Sequence, residues 1–217
     1  MPLPPTAPPL PPRPSCLRPL LPQGGRGWSS RAAHLVAKRA MGWPPTAHAG
    51  RVACLAAAVA RALGLSPAQV REAYLAGLLH DSGKLLVARR VRHKAGPLDP
   101  QEWRQMQRHP VYSARLLRGL PGLPRSVRQA VRHHHERLDG SGYPGGLAGD
   151  AVPLLARILA ACDVYDALSS PRSYKAAWPA EAVWAELSAQ AECRLDSGVL
   201  AALKRCVAEE ATPPLRV

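Results

Sequence analysis

The sequence predicts an all-α, compact multi-helix domain. Apolar side chains recur at three- and four-residue spacing in one segment after another, the period of a helix with a single buried face. Helix starts and stops punctuate those segments, and no stretch alternates apolar and polar residues in the manner of a multi-strand sheet.

The first helix is expected over His48–Leu63, where Val52, Leu55, Val59 and Leu63 share a face and Gly64 ends the run. Ser66-Pro67 offers an N-cap followed by a first-position proline, starting a second apolar helix that reaches Leu79 and delivers His80-Asp81. Ala95-Gly96-Pro97 resets the chain, and Asp99-Pro100 repeats the cap-and-proline signal ahead of His109-Pro110 and an amphipathic run through Val111, Ala114 and Leu117. Pro121 to Pro124 breaks that run. Ser126 to Glu136 is read as the next helix, opening into a Gly-rich loop from Asp139 to Gly146. A long helix starting at Pro153 carries Asp163 and Asp166, and Pro179 to Ala191 and Ser197 to Glu210 close the domain.

A chain of 217 residues accommodates one domain with a substantial core plus an extension. Residues 1–45 hold twelve of the 24 prolines, six basic residues and no acidic one, a composition expected to stay extended or disordered. The domain is expected over residues 46–212, with 213–217 a flexible tail. No 18-residue apolar run suggests a membrane span or signal peptide, so a cytoplasmic address is the simplest expectation. The formal charge of +14 divides into +6 in the extension and +8 in the remainder, where the arginines are scattered. That pattern argues against a dedicated site for polymeric nucleic acid, while still favouring an anionic small substrate. Five cysteines without a CxxC spacing argue against a disulfide framework or a cysteine zinc site, and Cys54 and Cys162 read as small buried side chains.

Chemistry concentrates in seven imidazoles and carboxylates. His48, the pair His80-Asp81, His109, the pair His134-His135 and Asp163 are distributed over successive helices, and together suffice for two metal ions. A mixed nitrogen and oxygen set suits iron, manganese, zinc, cobalt or nickel better than calcium. Asp81, beside His80 at a helix end, is the natural bridging carboxylate. Glu136 is expected to support the ligands or form a salt bridge, and Asp166, three residues after Asp163, to share its helical face. Lys84, four residues after His80, is placed on the same helical side, where it would organise Asp81 or meet a phosphate oxygen. Gly140 and Gly142 make the loop permissive, and Tyr143 can donate a hydroxyl hydrogen bond.

The ordered set His48-x-x-Arg51-Val52, His80-Asp81-Ser82-Gly83-Lys84, His109-Pro110, His134-His135-Glu136, Asp139-Gly140-Ser141-Gly142-Tyr143-Pro144 and Asp163-Val164-Tyr165-Asp166-Ala167-Leu168, followed by Arg172-Ser173-Tyr174-Lys175, resembles the HD-GYP branch of the HD metal-dependent phosphohydrolases. The resemblance implies an HD-type phosphohydrolase fold and hydrolysis of cyclic di-GMP. It implies metal-ligand roles for His48, His80, Asp81, His109, His134, His135 and Asp163, a place for Tyr143 at the substrate mouth, and phosphate contacts from Arg172 and Lys175. It raises iron or manganese above zinc. Some relatives carry a glutamate four residues before the first histidine that supports a third metal; Pro44 stands there in this chain, so two divalent ions are expected, and with them a reaction ending mainly at the linear dinucleotide pGpG. Ser82 occupies a position that is usually apolar. The competing expectations are a phosphohydrolase for another nucleotide phosphate and a catalytically silent sensor or module that answers to a regulatory protein partner.

Overall fold

A computed structural model of the chain describes residues 47–171, 176–191 and 193–211. Those residues form nine α-helices and no sheet; an isolated antiparallel bridge, Asp139 to Ala148, closes the Gly-rich loop. No helix among them is long and apolar enough to cross a membrane. The expected extension, residues 1–45, and tail, 213–217, lie outside the described residues.

The first two helices, α1 (Ala47–Ala62) and α2 (Pro67–Leu79), form an antiparallel hairpin. α1 buries small side chains along its length, Ala53, Ala56, Ala57 and Ala60 among them, together with Val52 and Val59. A Cβ placed on Gly77 would lie 2.6 Å from the Ala53 Cα, so only glycine permits this approach of the two backbones. The approach brings the start of α1, with His48, against the end of α2, with His80. Ser66 caps α2 as its spacing predicts: its hydroxyl accepts from the Gln69 N–H while the Gln69 side chain accepts from the Ser66 N–H. Substituting Ser66 by Ala should therefore cost about 1 kcal/mol of unfolding free energy, read from denaturant titration.

After α2 the chain enters a tight 3-10 turn, Ser82–Leu86, then the short α3 (Arg89–Arg92) and α4 (Pro100–Met106). Asp99 and Glu102 form the capping box of α4. α5 (His109–Leu117) packs on the 3-10 turn and on α6 (Arg125–His133). α7 (Leu154–Ser169) runs through the core between α1, α2 and α6, and α8 (Ala180–Ala191) and α9 (Ser197–Ala211) cover its far side. Leu159, Ile158, Leu203, Leu187 and Leu79 are fully buried at the centre, with Cys54 and Cys162 in the same core.

Two local expectations need correction. α6 ends at His133 and not at Glu136, because the chain turns through His134, whose imidazole Nδ1 donates to the Val131 carbonyl 2.7 Å away. Lys84 does not continue a helix from His80; α2 stops at Leu79, and the 3-10 turn, with Ser82 Oγ donating to the Leu79 carbonyl, swings Lys84 back toward Asp81.

Candidate metal centre

Every one of the seven residues singled out as ligands is drawn into one cleft. His48, His80 and Asp163 offer donor atoms within 4.8 Å of one another, as do His109, His134 and His135; a third group, His80, Asp81 and His134, joins the two. Asp81 sits across the junction, with Oδ2 3.4 Å from His80 Nε2 and Oδ1 3.3 Å from His109 Nε2. His48 Nε2 lies 3.1 Å from Asp163 Oδ1, and the Nε2 atoms of His109 and His134 lie 3.4 Å apart.

Helix ends orient the imidazoles. The last carbonyls of an α-helix have no partner within it, and three of them are used here in one way: Nδ1 of His80 donates to Gly77, of His109 to Met106 and of His134 to Val131, each at 2.7 Å. His48 Nδ1 instead meets Asp166 Oδ2 at 2.6 Å. Engaging Nδ1 leaves Nε2 aimed at the cleft, the arrangement in which histidine ligates metals. The donors fit such ions: His80 Nε2 and Asp81 Oδ1 are buried without any hydrogen-bond partner, a costly arrangement unless a cation satisfies them.

Charge follows the same logic. Burial works against ionisation of Asp81, but His80 and Lys84 outweigh it and hold the carboxyl well below its ordinary range; Asp163 is likewise depressed, against burial, by His48 and His80. Burial, with neighbouring imidazoles, keeps His134 neutral and pushes His135 down to about 3. His48 resists burial and rises to about 9 because Asp163 and Asp166 face it. His80 rises too, for its proximity to Asp81 outweighs its burial. A divalent cation would take the place of those protons.

Lys84, Asp166 and Glu136 each make specific contacts around this set. Lys84 Nζ donates to Asp81 Oδ2 at 2.7 Å, leaving Oδ1 for the cleft. Asp166, nearly fully buried, receives Arg51 Nε at 2.5 Å and Nη2 at 2.9 Å besides His48, so the guanidinium clamps the carboxylate that orients the His48 ring. Arg51 went unassigned in the sequence, although its spacing of three from His48 on one helix was a usable signal. The Glu136 carboxylate turns to the Gly-rich loop and to His133. It accepts from the backbone N–H groups of Gly145 and Leu147 at 2.7 and 3.1 Å, with His133 Nδ1 at 3.3 Å, and so braces the Gly-rich loop.

That loop lies directly on the ligand turn: a Cβ at Gly142 would collide with the backbone of His135, Glu136 and Arg137. Tyr143 thereby rests on His135, ring centroids 4.8 Å apart, and touches Trp103 of α4 edge to face at 6.2 Å. Arg137, partly buried and facing Tyr143 and Asp163, and Trp103 have no motif of metal ligation to announce them and were missed. Arg172 and Lys175 lie outside the described residues.

Comparison with known proteins agrees with this geometry. The family model described as HD domain matches residues 30–199. A cyclic di-GMP phosphodiesterase of Pseudomonas aeruginosa is 47% identical over 133 residues, covering 61% of this chain and 32% of that protein. The 3′3′-cGAMP-specific phosphodiesterase 3 of Vibrio cholerae is 39% identical, covering 74% and 35%. The cyclic di-GMP phosphodiesterase response regulator of Xanthomonas campestris is 44% identical, covering 71% and 41%. The chain thus spans a third to two-fifths of the length of these relatives. Among solved structures, an HDG"Y"P protein from Bdellovibrio bacteriovorus aligns with a TM-score of 0.60 at 20% identity over 74% of this chain and 51% of that one, which speaks for the fold. By the family match, the relatives and the ordered motifs together, the chain belongs to the HD domain family, in its HD-GYP branch.

Proposed function

We propose that the domain hydrolyses a 3′,5′-phosphodiester bond of a cyclic dinucleotide, cyclic di-GMP foremost, and releases mainly the linear dinucleotide pGpG. The observation that carries this reading is the pair of three-residue donor groups joined through Asp81, with four imidazoles held in the ligating orientation. His48, His80 and Asp163 would hold one divalent ion and His109, His134 and His135 the other, with Asp81 between them; iron or manganese is the favoured pair. Such ions, when bound, acidify water and polarise phosphoryl oxygens, chemistry that needs no covalent protein nucleophile.

The chain's own groups supply the rest. Lys84 fixes the Asp81 carboxylate through Oδ2, and the Arg51–Asp166 clamp holds His48 at its angle. Tyr143 and its loop form one wall of the mouth, braced by Glu136. Arg172 and Lys175, by the family resemblance, neutralise the substrate's phosphates. Arg172→Ala should retain both metals while losing roughly ten- to a hundredfold in kcat/KM, the worth of a charge-assisted hydrogen bond; unchanged kinetics would remove Arg172 from the substrate site. Elemental analysis of reduced, loaded protein should find two ions per chain. Three fully occupied positions would defeat the reading of Pro44.

A second substrate has a specific observation behind it: three of the similar Vibrio cholerae proteins are named 3′3′-cGAMP-specific phosphodiesterases, at 39 to 41% identity. Incubating the loaded protein with cyclic di-GMP and with 3′3′-cGAMP, and separating the products by chromatography, tests both. Linear product from cyclic di-GMP at the higher kcat/KM is expected. Full metal loading with binding of either dinucleotide but no product would make the domain a sensor.

A further inference from the structure

Helix α4 contributes nothing to the core, since none of Pro100–Met106 is buried. Short helices normally owe their stability to an apolar face packed against the protein. This one is held by polar contacts at both ends instead. Its start carries the Asp99–Glu102 capping box, with Lys94 Nζ on Glu102 Oε2 at 2.6 Å, and its last carbonyl, Met106, receives His109 Nδ1. A helix fixed so firmly without burial, and attached to a residue of the metal centre, serves to place something. What it places is Trp103, 47% exposed, which meets Tyr143 edge to face at an interplanar angle of 80°. Tyr143 in turn lies tilted at 31° over His135. Three rings therefore lead from the metal centre outward, and the last presents a large apolar surface to solvent.

We propose that Trp103 is the base-stacking wall of the substrate mouth: it takes the face of a purine base of the cyclic dinucleotide whose phosphate enters the cleft. The assignment rests on the phosphodiesterase reading above and adds to it the group that holds a nucleobase. Aromatic side chains gain from stacking on any base, and an indole fixed in position before binding forfeits little conformational freedom when it does so. Trp103 acts on binding and touches none of the reacting atoms.

The test is a steady-state comparison of wild type, Trp103→Ala, Trp103→Phe and Trp103→Leu with cyclic di-GMP, together with calorimetric titration of each loaded protein with pGpG. Trp103→Ala should raise KM, and weaken pGpG binding, by roughly tenfold or more, the scale of one lost base stack, with kcat within about threefold of wild type by the same separation of binding from chemistry. Phe, which keeps a stacking face, should recover most of the loss, and Leu, of similar apolarity without a ring, should not. Equal KM and equal pGpG affinity in Trp103→Ala, a fall confined to kcat, or rescue by Leu as good as by Phe would each overturn the proposal while the phosphodiesterase reading stands. Failure of wild-type protein to turn over or bind either cyclic dinucleotide would overturn that reading, and this one with it.

Discussion

On the proposed function, Asp81→Ala is expected to lower cyclic-dinucleotide hydrolysis by roughly a thousandfold or more, because several kcal/mol of transition-state stabilisation would depend on the metal pair that Asp81 would join. Three separate connections fail at once. The carboxylate stands between His80 and His109, so its removal leaves each half of the centre without its shared oxygen. It also neutralises Lys84, whose ammonium would then face the cleft and repel a cation. Metal content should fall along with activity, whereas helix content by circular dichroism should not, since Asp81 lies beyond the end of α2 and caps no helix through its side chain. Wild-type turnover in folded Asp81→Ala protein would reject the assigned centre.

Gly83→Ala should have the largest effect on stability. The Gly83 N–H donates to Ser113 Oγ at 2.7 Å, and the same hydroxyl donates to the His80 carbonyl at 2.8 Å, so one fully buried serine ties α5 to the turn that carries Asp81. A Cβ on Gly83 would overlap the His109 carbonyl and the Ser113 backbone, with Ser113 Oγ 2.8 Å away; the obstruction is backbone and cannot rotate aside. Overpacking of this kind costs roughly 3 kcal/mol, or a fall in Tm of about 6 to 12 °C for a domain of this size. His109 starts α5, so the substitution should also strip metal from the His109, His134 and His135 side first. Gly50→Ala is the matching control: its Cβ would meet nothing within 4 Å, and in the interior of α1 it should raise stability by roughly 0.5–1 kcal/mol. Equal melting temperatures for wild type and Gly83→Ala would contradict the packing described.

The helical architecture was legible because its signals are local. Ser66-Pro67 and Asp99-Pro100 announce two helix starts through chemistry confined to four residues, and both capping boxes are present. The ends of helices were less legible. A helix reading that runs to Glu136 follows propensity, but His134 turns its ring onto the Val131 carbonyl and the chain departs there. The positions of Asp166 and Lys84 near the ligands could be anticipated from short spacings, and so could the contact of Lys84 with Asp81 three residues before it, whereas the second partner of Asp166 is a matter of tertiary contact. Asp166 reaches across to Arg51, 115 residues away, and no local pattern encodes that pairing. Glu136, adjacent to two histidines in sequence, points its carboxylate at Gly145 and Leu147 because the loop folds back over the ligand turn. Trp103 was invisible for the same reason: its importance depends on a ring 40 residues downstream.

The backbone carbonyls that hold three of the imidazoles would also limit which ions the centre could accept. A histidine free to rotate can swing toward a larger ion or away from a smaller one, and so follows whichever cation is most abundant. Rings pinned at Nδ1 by Gly77, Met106 and Val131 can move only if helix ends move with them. Affinity alone ranks divalent metals in nearly the same order for any soft or borderline donor set, so discrimination must come from geometry. Here that geometry belongs to the α-helices, and altering metal preference would require shifting a helix end as well as exchanging a ligand.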